Sequence, residues 1–254
     1  MKVVLKIDEM NREEIAEKIS DSLVIIPVGA IEQHGPHLPI NTDTVIIDAI
    51  TSRVCDAMSA EYPVFKAPVV SYGNSHHHFP FPTMSLKSET LISLLKDLVQ
   101  SLVTFGCKNI LILNSHGGND EAIRIVARDM SRICQVSIGA ASYWTIARSR
   151  LINECNVLDL GRVPGHAGGF ETSLMLALTP ENVRLEKRPP CREDNIPKVD
   201  NARRIYVSRP NNSVGIGGYS DDARHAAKDI GEKALSIIVE EIVKTAKEYI
   251  EKKI

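Results

Sequence analysis

The chain has few cysteines, and no two of them are closely spaced. Its five cysteines are scattered, at Cys55, Cys107, Cys134, Cys155 and Cys191. Because no CxxC motif occurs, a structural zinc site built from thiolates is not expected. We predict reduced, mostly buried thiols, as in a protein of the cytoplasm.

Long hydrophobic runs and a large excess of either charge are also missing. No apolar segment is long enough to cross a membrane, and no amino-terminal signal is visible, which favours a cytoplasmic location. The net charge is only −2, so no bulk field would attract nucleic acid or an acidic membrane. We therefore predict no nucleic-acid partner and no membrane partner.

The remaining composition is that of an ordinary globular protein. Apolar residues make up 43% of the 254 residues and charged residues 24%, which is enough for a substantial core. No internal repeat or low-complexity linker divides the chain. We predict one domain over residues 1–254, with two small domains as the alternative.

Apolar patterns along the chain alternate between short runs and longer helical periods. Strands are predicted at 23–28, 65–70, 109–113 and 136–140, with an edge strand at 2–7. Helices are predicted at 11–20, 44–58, 88–105, 121–133 and 222–252. This alternation predicts an α/β fold, a mostly parallel sheet with helices on both faces. The proline-rich stretch 188–212 is interpreted as an irregular excursion, either a lid or a subunit contact, with a hinge between domains as the alternative.

The segment 24–43, VIIPVGAIEQHGPHLPINTD, brings acids and imidazoles to the end of a buried strand. Glu32 and His34 are two residues apart, so in an extended chain they point the same way. Carboxylate oxygen and imidazole nitrogen together suit zinc, manganese or iron(II). We interpret Glu32, His34 and Asp43 as metal ligands. The alternative is a polar loop in which Thr42 or Asp43 caps the next helix.

A second motif, NSHGGN at 114–119, follows another predicted strand. In open α/β sheets ligands gather beyond the carboxyl ends of the strands, so both motifs belong to one edge. His116 alone could be a hydrogen-bonded loop residue. Gly117 and Gly118, however, allow the close backbone approach that a crowded metal site uses.

Three motifs in this order resemble the creatininase (creatinine amidohydrolase) family. They are GAIEQHGPHLPINTD at 29–43, NSHGGN at 114–119 and HAGGFETS at 166–173. The resemblance extends over most of the chain. It implies a three-layer α/β/α sandwich, a small-molecule substrate and a homo-oligomer, often a hexamer. Because members of this family act on different molecules, the family does not fix the substrate.

Matched residue by residue, the resemblance implies a site for two divalent metal ions. Asp43 would bridge the ions, Glu32 and His116 would complete one of them, and His34 would bind the other. A shared water, acidified by the ions, would be the nucleophile.

The match departs from the family pattern at one position. Creatinine-hydrolysing members place a glutamate two residues after the histidine of the second motif, where this chain has Gly118. Either the second ion lacks a ligand or Glu171 supplies it. The departure weakens the case for creatinine as the substrate, whereas the metal-hydrolase interpretation stands.

The third motif supplies His166 and Glu171, which we predict to be catalytic. His166 resembles the family residue proposed to shuttle a proton, and a histidine near neutral pKa suits that task. Its alternative role is to hold a glycine-rich turn. Glu171 is interpreted as a ligand or as a support of one, although an acid at a helix start can simply favour the helix dipole.

The loop 72–83 resembles the family's substrate loop but lacks the glycine before Thr83. Ser75 and His78 are its matching polar residues, and with Gly117 they are predicted to bind substrate. Consecutive histidines at 76–78 cannot all face one ion, so one or two are expected to point inward. His37 is a weaker candidate.

The sequence therefore predicts a metal-dependent hydrolase whose activated water attacks the carbonyl carbon of a cyclic or linear amide. Alternatives within the family are a formylamino-pyrimidine nucleotide deformylase, a mycofactocin-type peptidase and an oxidised-inositol hydrolase. Outside it, a metal-binding protein without catalysis is the rival, although storage needs no proton shuttle. A nucleotide-binding module lacks support, because the turn at Gly215, Gly217 and Gly218 follows no strand.

Overall fold

The computed structural model describes residues 4–155, 160–188 and 217–252. The strands in these ranges are β1 (Leu5–Lys6), β2 (Leu23–Val28), β3 (Ile31–Glu32), β4 (Val64–Lys66), β5 (Thr83–Met84), β6 (Asn109–Asn114) and β7 (Ser137–Ser142). Five of them form a parallel sheet in the order β1-β4-β2-β6-β7. β3 and β5 form a separate antiparallel pair.

Helices surround this sheet. The α-helices in the described ranges are α1 (Arg12–Ala16), α2 (Thr42–Met58), α3 (Ser88–Thr104), α4 (Asp120–Cys134), α5 (Tyr143–Cys155), α6 (Gly169–Leu178) and α7 (Lys228–Ile250). Short 3-10 turns occur at Ile7–Glu9, Ile19–Asp21, His76–His78, Gly117–Asn119, Pro180–Asn182 and Leu185–Lys187. None of the described helices combines the length and apolar character that crossing a bilayer requires.

Alternate residues of the central strands pack into two separate hydrophobic cores. Leu23 and Ile25 of β2 pack with α2, α5, α6 and α7 on one face. Val24 and Ile26 pack with α3 and α4 on the other. Because successive strand residues point to opposite faces, β2 is apolar throughout and buried along its whole length. The predicted three-layer α/β/α fold is confirmed.

The same layering creates a crevice between β2 and β6. These neighbouring strands are parallel, with Val28 opposite Asn114 at their carboxyl ends. The chain leaving β2 turns to α2 on one face, and the chain leaving β6 turns to α4 on the other. Where the loops after two neighbouring parallel strands lead to opposite faces of the sheet, they leave a cleft in which ligands bind.

The strand predicted at 65–70 is shorter in the structure. β4 ends at Lys66, and only an isolated bridge between Val28 and Val70 continues the ladder. Pro27 and Pro68 lie on either side of this interruption, and neither has a backbone N–H to donate.

The first helix is capped at its amino end and ends earlier than predicted. The Asn11 side chain accepts hydrogen bonds from the Glu13 and Glu14 amides, and the Glu14 carboxylate accepts one from the Asn11 amide. These reciprocal bonds form a capping box. The helix stops at Ala16 because the chain must turn into β2, a turn closed by the Ser22 hydroxyl on the Ile19 carbonyl.

Two other helix starts, those of α2 and α7, differ from expectation, whereas α3 begins where it was predicted. α2 begins at Thr42, after Asn41, and no side chain caps it, so Thr42 and Asp43 lie in its first turn instead. Ser88 is the first residue of α3, which ends before Gly106 at φ +102. α7 starts only at Lys228. The stretch 189–216, with most of the predicted excursion and Cys191, lies outside the described residues. The other cysteines are free, and all but Cys134 are buried.

Packing of α7 against α6 provides a test of this core. A Cβ on Gly231 would lie 1.9 Å from the Ser173 carbonyl oxygen, so Gly231→Ala should separate the two helices. We expect it to lower the free energy of unfolding by about 1–3 kcal/mol, as overpacking does, although alanine usually favours a helix.

The measurement is chemical denaturation monitored by circular dichroism. Gly117→Ala is the matched control, because a Cβ there would meet nothing within 4 Å and should leave stability unchanged. A Gly231→Ala protein as stable as the parent would contradict the packing described for α6 and α7.

Candidate metal centre

Five side chains predicted as metal ligands meet at the crevice between β2 and β6. Glu32 ends β3, Asp43 lies in the first turn of α2, and Glu171 lies in the first turn of α6. His34 follows β3, and His116 follows β6. All five are at most 5% exposed. The chain therefore buries three acids and two imidazoles beyond the carboxyl ends of two central strands.

The Asp43 carboxylate lies between the two imidazoles. Its Oδ1 is 3.5 Å from His34 Nε2, and its Oδ2 is 3.4 Å from His116 Nδ1. The remaining acids are on opposite sides: Glu32 Oε1 is 3.2 Å from His116 Nδ1, and Glu171 Oε2 is 3.8 Å from His34 Nε2. Two donor sets thus share Asp43, each with one imidazole and one further carboxylate.

The position that departs from the family pattern has no room for a side chain. A Cβ on Gly118 would lie 2.1 Å from the Asn74 carbonyl oxygen and 2.6 Å from His116 Nε2. A glutamate therefore could not enter the site from this position without moving the loop. Glu171, from another helix, provides the carboxylate next to His34 instead.

Backbone carbonyls fix which nitrogen of each imidazole faces the centre. His34 Nδ1 is 3.0 Å from the Glu32 carbonyl oxygen, and His116 Nε2 is 2.9 Å from the Asn74 carbonyl oxygen. A carbonyl only accepts, so these two nitrogens carry hydrogen and donate. The other nitrogens, His34 Nε2 and His116 Nδ1, face the carboxylates, which is the orientation of imidazoles that bind a metal.

Several buried polar atoms that face the centre lack a hydrogen-bond partner. Among the described residues, no hydrogen bond is made by either carboxylate oxygen of Glu32, by His34 Nε2 or by Asp43 Oδ2. A buried polar atom without a partner costs about 1–3 kcal/mol, and a charged one costs more. A cation between these atoms would remove that cost, so the donor set fits divalent metal ions.

The electrostatics of the centre also favour a bound cation. Burial lowers the pKa of His34, but Asp43 and Glu171 beside it raise the pKa to about 10. Burial raises the pKa of Glu171 to about 8, against the opposing effect of His34. Both pKa shifts favour the protonated forms of these side chains, and a bound metal can take the place of such protons.

His166 lies against the Glu32 side of the centre. Its ring lies 4.4 Å from that of His34 and 4.3 Å from that of His78, and its Nδ1 is 3.6 Å from Glu32 Oε1. Its Nε2 is 2.9 Å from the Gln33 carbonyl oxygen and 3.0 Å from the Gln33 side-chain Nε2. In the tautomer that donates to the carbonyl, Nε2 carries the hydrogen and Nδ1 faces Glu32 without one.

Gln33 is a site residue that the sequence analysis did not identify. The Gly35 amide donates to its Oε1 at 2.9 Å, so its Nε2 must face His78 Nδ1 at 2.8 Å. His78 Nε2 lies 3.1 Å from Glu32 Oε1, but the two atoms do not have hydrogen-bond geometry. Strict alternation would have pointed Gln33 away from Glu32, but the chain leaves the extended conformation at Gly35, where φ is +63.

The predicted substrate residues are in three different environments. Ser75 is fully buried, and its Oγ lies 3.3 Å from His116 Nε2, the nitrogen that faces away from the centre. His78 is buried beside Glu32. Gly117 is exposed, with open space where a side chain would be. A substrate-binding role for these three stays a prediction.

Two further histidines lie close to these donors: His77 forms a group with Glu32 and His116, and His166 forms a group with Glu32 and His34. His77 is exposed and stacks on the His116 ring at 5.6 Å, and His76 contacts the Ser85 hydroxyl. Of the three consecutive histidines, His78 alone is buried. His37 is held by the Thr172 hydroxyl at 2.9 Å, and burial lowers its pKa to about 4.

Comparison with known sequences identifies relatives along nearly the whole chain. A family model described as creatinine amidohydrolase matches residues 8–246. The creatinine amidohydrolase of Pseudomonas putida is 28% identical over 95% of this chain and 96% of its own length. The mycofactocin precursor peptide peptidase of Mycolicibacterium smegmatis is 34% identical over 63% of this chain and 60% of that protein.

Solved structures agree with the sequence comparison. A structure named creatininase Mn is 25% identical with a TM-score of 0.79, covering 97% of this chain and 98% of that one. A mutant creatininase of the Zn–Zn type gives 25% identity and a TM-score of 0.78, with the same coverage. The fold, the motifs and these matches agree, and the chain belongs to the creatininase family of hydrolases.

Proposed function

We propose that this hydrolase uses two divalent metal ions and a water molecule to cleave an amide C–N bond in a small molecule. The observation that carries the proposal is the Asp43 carboxylate, which lies between two imidazoles among buried atoms that lack hydrogen bonds. Zinc, manganese and iron(II) all suit such mixed nitrogen and oxygen ligands.

The two donor sets assign ligands to each ion. Glu32, Asp43 and His116 would hold one ion, and His34, Asp43 and Glu171 would hold the other. When bound, two such ions lower the pKa of a shared water and polarise the carbonyl of the substrate.

His166 supports the proton transfers that amide cleavage needs. The leaving nitrogen must receive a proton, and a neutral imidazole at the centre can first take one from water. Burial, with His34 nearby, holds the pKa of His166 well below its ordinary value, so the ring starts neutral. Its Nε2–H stays on the Gln33 carbonyl while Nδ1 takes up and releases the proton.

The substrate we favour is a linear or cyclic amide other than creatinine. The case against creatinine is Gly118, which cannot carry the glutamate of the creatinine-hydrolysing pattern. The names of other relatives include a formylamino-pyrimidine nucleotide deformylase and a 3-dehydro-scyllo-inosose hydrolase. Assembly into a homo-oligomer, such as a hexamer, and a cytoplasmic location remain predictions.

Metal content tests the ligand assignment directly. Protein purified without a His tag should hold about two equivalents of zinc, manganese or iron per chain by elemental analysis. Asp43→Asn should lose both, because the bridge contributes to each ion, whereas Glu171→Gln should lose only one. Replacing a residue that only hydrogen-bonds to a metal ligand lowers the affinity for the metal roughly 10- to 100-fold. Replacing a ligand itself should lower it further.

Asp56→Asn is the matched control for Asp43→Asn. Asp56 lies on the same helix, outside both donor sets, so its replacement should leave both ions in place. Two equivalents retained by Asp43→Asn would contradict the shared bridge. A Glu171→Gln protein that keeps both ions would remove Glu171 from the ligand set.

Substitution of His166 should separate catalysis from metal binding. His166→Gln should keep two ions but lower kcat by about 10²- to 10⁴-fold, the usual contribution of a positioned acid–base group. The assay screens creatinine, N-formyl compounds and short peptides for amine release. Turnover by His166→Gln at the parent rate would show that another group moves the proton.

A further inference from the structure

The loop that carries His166 has little to hold it in one conformation. Between residues 161 and 169 it contains four glycines. Its Ala167 has φ +50, a left-handed value that is uncommon for a residue with a Cβ. Glycine gives up more conformational freedom on ordering than other residues. A catalytic imidazole on such a loop needs an external support.

Ser220 supplies that support through the His166 backbone. The His166 amide donates to Ser220 Oγ at 2.7 Å, and the Ser220 amide donates to the His166 carbonyl at 2.8 Å. One residue thus satisfies both backbone groups of His166. These bonds join the loop to the start of the segment 217–227, which is distant in sequence.

Asp221 orients Ser220 for this role. Its Oδ2 accepts the Ser220 hydroxyl hydrogen, so the Ser220 oxygen is left to accept from the His166 amide. Arg162 Nε lies 3.7 Å from Asp221 Oδ1. Burial raises the pKa of Asp221, whereas the Ser220 hydroxyl and Arg162 favour its charged form.

The loop also closes around the Asp221 side chain. A Cβ on Gly161 or Gly168 would lie 2.7 Å from Asp221 Cβ, and one on Gly165 would lie 2.3 Å from Asp221 Oδ2. Three glycines are therefore in contact with one carboxylate that is only 5% exposed. Their lack of side chains is what allows Asp221 to occupy the middle of the loop.

The other side of the loop is tied to the metal centre. The Ala167 amide donates to Glu171 Oε2 at 2.6 Å, the oxygen that also faces His34. The His166 ring donates to the Gln33 carbonyl. Gln33 and Glu171 therefore hold the loop on the side of the centre, and Ser220 with Asp221 holds it from behind.

We propose that Ser220 and Asp221 are positioning residues that fix the backbone of His166 for its proton transfer. The inference rests on the proposed function, in which His166 moves the proton. Neither residue belongs to the two donor sets, so both act through the loop that carries His166. Misplacement of a reacting group by about 1 Å can cost on the order of 100-fold in rate.

The test uses the zinc-loaded full chain with ¹⁵N-labelled histidine. The ring signals of His166, assigned with His166→Gln, should show one fixed tautomer in the parent. In Ser220→Ala and Asp221→Asn the Nδ1 and Nε2 signals should move toward each other, while the other ring signals and the metal content stay unchanged. Ser220→Thr keeps the hydroxyl and should restore the parent spectrum.

Kinetics with an amide from the substrate screen give a second readout. Ser220→Ala should lower kcat by about 10- to 100-fold, as expected for misplacement, with KM unchanged. In a His166→Gln background the same substitution should cost nothing more. Asp222→Asn is the matched control, because the Asp222 carboxylate pairs with Arg224 and not with Ser220.

Three results would overturn the inference. The first is a parent-like His166 spectrum in both Ser220→Ala and Asp221→Asn. The second is an equal further loss of kcat in the His166→Gln background. The third is loss of metal or of folding in Ser220→Ala, which would show that the Ser220–His166 contact stabilises the fold rather than positions His166. If His166→Gln is itself fully active, the proton-transfer role proposed for His166 under the proposed function fails instead, and that single variant distinguishes the two failures.

Discussion

The structure depends on burying three carboxylates close together at the ends of β2 and β6. Glu32, Asp43 and Glu171 are each at most 4% exposed, and like charges in such a place repel strongly. Positive charge must therefore be present, either protons on His34 and His116 or metal ions. The sandwich supplies the rigid walls, and the fixed imidazoles supply two defined positions for that charge.

Shape as well as charge limits the chemistry of this centre. Gly118 is packed against the Asn74 carbonyl and the His116 ring, and the second donor set takes its acid from α6 instead. The motif HAGGFETS thus serves two purposes, because Glu171 faces His34 while its Oε2 also accepts from the backbone beside His166. The proposed ligand and the proposed proton carrier are therefore coupled through one short loop.

The parts of the site that follow from strand position were predictable from sequence. A buried strand delivers Glu32, another delivers His116, and the sheet brings both to one edge. Glu171 was reached only through resemblance, since nothing local distinguishes a ligand from a helix-start acid. Gln33, Ser220 and Asp221 were missed, because their roles come from a local bend or from contacts between distant segments. Likewise, β4 is shorter than predicted, and Pro27 on the neighbouring strand and Pro68 both lie where the pairing of the two strands is interrupted.

The most direct test is the anomalous diffraction of a crystal of the metal-loaded protein, recorded at the absorption edge of its metal. Two sites sharing Asp43 predict two peaks, one between His116 and Glu32 and one between His34 and Glu171. A single peak beside His116 would leave Glu171 as a support of the loop only. No peak within reach of Asp43 would contradict the account, since the buried carboxylates would then be balanced by protons alone.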